Sequence, residues 1–206
     1  MQRQIVAFAG IAGFLLAFIG FVALLLRPWL GSERDIPEFH FDVKGIADPD
    51  FATASEAGVQ DDDLVIGVAG FDVPRAYVLK ALQFVPPRHV VSTVTPQGAL
   101  AVTRCERSAC TRVFVDRGSA RPLDVRIGGW RDKQLELIVA DQRYAQNSPE
   151  IPLEQIPFVE TTWRKWRAQF PSTLVYTGPT SRQDRMRIAQ WERERAKLGM
   201  APDSVW

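Results

Sequence analysis

Hydrophobic and polar positions divide the chain into stretches of different texture. The first is an unbroken apolar run, Ile5 to Leu26, free of charge and flanked by Arg3 and Arg27. A bilayer core requires roughly 20 apolar residues of a helix, and the run has that length. It predicts a transmembrane anchor over 5–26 behind a short tail, 1–4. A cleaved secretory signal is the competing reading, but such a signal ends in a small-x-small site. Leu24-Leu25-Leu26-Arg27-Pro28 offers none. Arg27 and Trp29 then fall at the membrane interface, where amphipathic rings and long cationic stems are favoured. Ala9, Gly13 and Ala17 recur every fourth residue and Gly20 extends the small face. That pattern lets a second helix approach closely, although small residues are common in membrane helices in general.

Residues 27–60 read as a tether. Pro28, Gly31, Pro37, Gly45, Pro49 and Gly58 interrupt it, and little periodicity survives between them. Within it, Phe39-His40-Phe41-Asp42-Val43 alternates like a short strand docking on a domain edge.

From Leu64 the texture changes. Leu64–Ala69, Ala76–Leu79, His89–Val94, Ala99–Thr103, Thr111–Val115, Leu123–Ile127 and Leu135–Val139 are short β-type runs. Pro96-Gln97-Gly98, Asp116-Arg117-Gly118 and Gly128-Gly129 are the turn signals between them. Regular short spacing without intervening helical pattern predicts an antiparallel sandwich or partial barrel over 61–178.

Helical spacing appears near the end. Trp163, Trp166 and Phe170 fall on one face of a helix that Pro171 stops, and aromatics at this spacing predict a packing face. Leu174-Val175-Tyr176 reads as a last strand. Pro179-Thr180-Ser181 opens a second helix running to about Leu198, with Gly199 as its stop. Thr180 with Gln183, or Ser181 with Asp184, supplies a capping box. Residues 179–206 thus form a basic amphipathic helix and tail. Arg185, Ile188, Trp191 and Arg195 are candidate docking positions there, against the alternative of a solvated face with intrahelical ion pairs. The fold class is α+β, mainly antiparallel β, with two C-terminal helices and one N-terminal transmembrane helix.

Lys and Arg number 25 against 24 Asp and Glu, so no global field favours nucleic acid. The two cysteines, Cys105 and Cys110, enclose Glu-Arg-Ser-Ala. Three states stay open for them: a small disulfide loop, free thiols, or a minor metal or redox role. Their spacing is neither Cys-x-x-Cys nor a haem motif. His40 and His89 are the only histidines to join them. Asp61-Asp62-Asp63 lacks the spaced ligands of a calcium loop. Gly-x-Ser-x-Gly and phosphate-binding glycine loops are absent. No cofactor and no catalysis are expected.

Arg75-Ala76-Tyr77, Val102-Thr103-Arg104-Cys105 and Ile156-Pro-Phe-Val-Glu-Thr-Thr-Trp-Arg-Lys-Trp-Arg-Ala-Gln-Phe-Pro-Ser-Thr-Leu-Val175 follow one another in that order along the chain. About Asp62 to Tyr176 resembles a bacterial, mostly extracytoplasmic domain family of unknown function. Its motifs read Thr-Thr-Trp-x-x-Trp, Arg-Ala-Tyr and Val-Thr-Tyr-Cys-Pro-Leu-Cys-Gly. With Cys105 on the first motif cysteine, Ser108 takes the place of the second. The resemblance therefore implies a divergent member whose cysteine chemistry is eroded. It also implies an extracytoplasmic domain on a bacterial inner-membrane anchor, a topology that the charges flanking the anchor leave nearly tied.

The expected function is that of a single-pass accessory or structural subunit, docking its β-rich domain on a larger membrane complex such as a respiratory or photosynthetic one. Its partners would be the lipid bilayer and membrane-protein subunits. The alternative is a tethered ligand-binding or enzymatic domain whose pocket holds Cys105, Cys110 and His89.

Overall fold

The computed structural model describes residues 38–179 and 182–197. The anchor with Ala9, Gly13, Ala17 and Gly20, the interface pair Arg27 and Trp29, and the capping residues Thr180 and Ser181 lie outside them. Among the described residues no helix is long and apolar enough to cross a membrane.

The strands are β1 (Phe39–Lys44), β2 (Ile46–Ala47), β3 (Ala52–Thr53), β4 (Leu64–Val68), β5 (Arg75–Val78), β6 (Val90–Thr95) and β7 (Gly98–Cys105). They continue with β8 (Cys110–Asp116), β9 (Val125–Arg131), β10 (Gln134–Val139), β11 (Gln142–Ala145), β12 (Glu154–Gln155), β13 (Val159–Thr162) and β14 (Leu174–Tyr176). Helix α1 spans Trp163–Gln169 and helix α2 spans Arg182–Lys197. The predicted β runs from Leu64 onward are realised within a residue or two, except that Leu123–Ile127 becomes Val125–Arg131, which runs four residues further. The α+β, β-rich class is correct.

The strands form three sheets rather than one sandwich or barrel. They run β1-β9-β10-β11, β12-β8-β7-β6-β2 and β13-β4-β5-β14-β3. The middle of these is covered on both faces. Strand β7 is buried at every residue, and alternate side chains leave opposite faces. Leu100 and Val102 join Val65, Ile66, Tyr77, Val175 and Tyr176 in one core shared with the β4–β5 sheet. Ala99, Ala101 and Thr103 point the other way, on the side where β9 and β10 approach β6 and β7. Burying a large apolar side chain of this kind stabilises by about 1.5–3 kcal/mol before entropy is counted.

Three features depart from the sequence expectation. The folded unit begins at Glu38 rather than Asp61. The strand predicted at Phe39–Val43 does form, as the edge strand β1 antiparallel to β9, while the unpredicted β2 pairs parallel with β6 and β3 borders β14. Gly128-Gly129 is not a turn but lies inside β9. The register slips there, with Gly129 opposite Glu136 and Ile127 opposite Leu137, so Gly128 is the extra residue of a bulge. The turn falls instead at Asp132 and Lys133, both at positive φ. Finally β14 enters between β5 and β3, parallel to β5.

Candidate functional site

Helix α1 has no side-chain cap at Thr162. Its first amides are met by the segment that leads into the neighbouring strand β4: Trp163 N donates to Asp63 O at 2.8 Å and Arg164 N to Asp61 O at 3.0 Å. The Asp61 carboxylate accepts from Arg164 Nε at 3.2 Å and Arg167 Nη2 at 3.1 Å. The acidic run thus supplies a remote cap. Asp63 also holds Lys80 Nζ at 2.8 Å, and that hydrogen bond lowers its pKa.

Pinned in this way, α1 lays its aromatic face on β4. Trp163 and Trp166 are buried and Phe170 is half-buried, so the predicted packing face holds. Trp166 lies directly on Gly67, where any Cβ would overlap its ring. Its indole N–H donates to Thr173 Oγ1 at 3.0 Å, and that hydroxyl donates to Pro74 O at 2.9 Å. The Trp166 and Phe170 rings are 4.3 Å apart. Beside them opens a groove of about 400 Å³, walled by Phe71, Phe158, Val159, Trp166 and Phe170, with Arg117 and Gln169 also lining it. Val159 is 53% exposed. It opens β13, an edge strand whose outer side pairs with no strand among the described residues.

The residues singled out for chemistry lie elsewhere. Cys105 and Cys110 face each other across the β7–β8 ladder, but both thiols are free and no disulfide joins them. Burial pushes the Cys110 thiol up, away from the reactive thiolate. His89 is buried, its Nδ1 donating to Arg104 O at 2.8 Å and lying 3.1 Å from Glu106 Oε2. Burial holds its pKa below the ordinary histidine value, which favours the neutral ring. Cys105, Cys110 and His89 line neither the aromatic groove nor the cavity described below. Among the described residues no three His, Cys, Asp or Glu side chains are grouped as a metal site would need.

The docking reading of α2 needs correction. Trp191 is buried, its ring 5.1 Å from Phe41 of β1. Its apolar stripe therefore packs on the domain itself, with Ile188 half-buried and Arg185 exposed. The Arg195 side chain lies outside the described residues.

Sequence reasoning missed the buried charges Arg75, Arg104 and Glu136. Glu136 of β10 is 1% exposed, with Arg143 Nη1 at 2.6 Å and His40 Nδ1 at 3.0 Å. A Cβ at Gly128 would press on its carboxylate, so the bulge makes room for it. The available signal was the lone charge inside Leu135-Glu136-Leu137-Ile138-Val139.

Comparison with protein-family models, with curated proteins and with solved structures gave no match.

Proposed function

We propose that the chain is a membrane-anchored accessory subunit that docks its β-rich domain on a larger membrane assembly. The observation that carries this reading is how the side chains are distributed. Cys105, His89 and Glu136, which carry chemical capacity, are buried, and His89 and Glu136 are engaged internally. Of the exposed large apolar side chains Leu64, Phe84, Val159 and Met186, Val159 borders both the aromatic groove and an open strand edge. An open edge with side-chain pockets beside it is a standard means of recruiting a partner segment. The apolar run 5–26 supplies the tether, with Ala9, Gly13, Ala17 and Gly20 as its packing face.

The test is affinity purification of the full chain from gently solubilised native membranes, followed by mass spectrometry. Wild type is expected to bring down subunits of one membrane complex in stoichiometric amount. Val159→Lys should release them while leaving stability within about 0.5 kcal/mol, as surface changes usually do. Recovery of wild type alone, as a clean monomer, would sink the proposal.

A further inference from the structure

A second cavity lies where β1, β2 and β6 meet the chain segment entering β9. It has a volume of about 300 Å³, and its lining includes Lys44, Ser92, Arg121, Asp124 and Arg126, with Ile46, Pro122 and Leu123 as apolar wall. That volume is at the lower end of what small-ligand sites offer.

What distinguishes the cavity is which polar groups go unmatched. Ser92 is 2% exposed, and its hydroxyl has no hydrogen-bond partner among the described residues. The same holds for Nε of Arg126, whose nearest carboxylate there is Asp124, at 3.9 Å. The rest of that guanidinium is occupied, Nη1 by Asp42 at 2.8 Å and Nη2 by Asp141 at 2.5 Å. Lys44 and Arg121 have exposed side chains with no ion-pair partner among the described residues. The lining therefore carries three cations against one carboxylate. Two buried donors and two unpaired cations surround one space, and the missing element is a negatively charged acceptor. A buried donor left unmatched costs about 1–3 kcal/mol, so a ligand that answers it is favoured.

We propose that this cavity binds a small anion, a phosphate or phosphate ester, with a short apolar portion lying on Pro122 and Leu123. Ser92 Oγ–H and Arg126 Nε–H donate to the anion from the inner wall, and Lys44 and Arg121 close over it from the mouth. Asp124 opposes binding and limits affinity. The site is independent of the docking groove, and its failure would leave that proposal standing.

The experiment is a titration of the full chain in non-ionic detergent with inorganic phosphate, followed by amide NMR shifts. Saturable shifts confined to the neighbourhood of Gly45, Ser92 and Leu123 are expected. Lys44→Gln with Arg121→Gln should weaken binding about tenfold or more, since charge-assisted contacts are the strong ones. Ser92→Ala should weaken it less, and Asp124→Asn should tighten it. Non-saturating shifts, or wild-type affinity in the Lys44→Gln, Arg121→Gln double variant, would overturn the proposal. The source of the anion follows from repeating the titration in nanodiscs with and without about 20% phosphatidic acid, whose headgroup carries the same chemistry. Competition identifies a lipid headgroup as the ligand. Unchanged phosphate affinity identifies a soluble anion. Either result requires the site.

Discussion

The two outer sheets of this protein are held by different physics. On the β4–β5 side, α1 is fixed by an aromatic ring laid on a glycine, with Thr173 relaying its one polar atom to Pro74. On the β9–β10 side, the sheet is stitched by charge. Arg126 gathers Asp42, Asp124 and Asp141, and Glu136 draws in His40 and Arg143. The difference teaches where each kind of recognition resides. The apolar half leaves a hydrophobic groove open beside Val159, and its unmatched polar atoms, Tyr77 Oη and Arg75 Nε, are buried. The charged half keeps Val125, Ile127, Leu135 and Leu137 buried and borders a cavity whose lining holds unmatched donors.

The largest effect that would test this contrast is Trp166→Ala. Loss of a buried tryptophan and its contacts should cost about 3–5 kcal/mol. Because that site depends little on charge, chemical denaturation should give the same loss at pH 5 and pH 8. Next comes Arg143→Leu, which leaves Glu136 buried with weaker compensation. Removing one partner of a buried pair costs about 3–5 kcal/mol, reduced here to about 2 because Arg143 is 39% exposed. The double variant Glu136→Leu, Arg143→Leu should recover most of that loss. A double variant as unstable as the sum of the singles would remove electrostatics as the organising force of that sheet.

The smallest effect is a pH dependence at His89, which lies in neither outer sheet. Its folded pKa is depressed by burial relative to an unfolded value near 6.5. Below 6.5 the unfolded chain binds the proton and the folded one does not, so folding stability falls as pH drops through that window. Stability should be fully present above 6.5. His89→Gln should flatten the slope between about pH 6.5 and 5, above the main carboxylate range, measured by denaturation at each pH.

How much of this was legible in the sequence depends on range. Short β-type runs bounded by turn residues are a local signal, so the runs from Leu64 to Val139 announced their strands. The aromatic stripe of α1 announced its buried face for the same reason. Ile46–Ala47 and Ala52–Thr53 were hidden because two residues cannot show a period. Gly128-Gly129 read as a turn because its real cause, the Glu136 carboxylate, comes from a neighbouring strand. The groove was only half visible: Trp166 and Phe170 share a helix, whereas Phe71 and Phe158 arrive from loops outside any period. Trp191 marked the stripe of α2, but nothing local says that Phe41 covers it.

The place of β14 has a consequence for how the chain is made. The middle sheet builds its centre, β6-β7-β8, from consecutive hairpins that finish by Asp116. The β4–β5 sheet cannot do so, since β14 must slot between β5 and β3, which lie about a hundred residues earlier in the chain. Until Tyr176 has left the ribosome, β5 and β3 each wait with an unpaired edge. Completion of this sheet is therefore timed by the arrival of β14, and a chain cut short of Leu174 leaves β5 and β3 with the facing edges that β14 fills in the finished molecule.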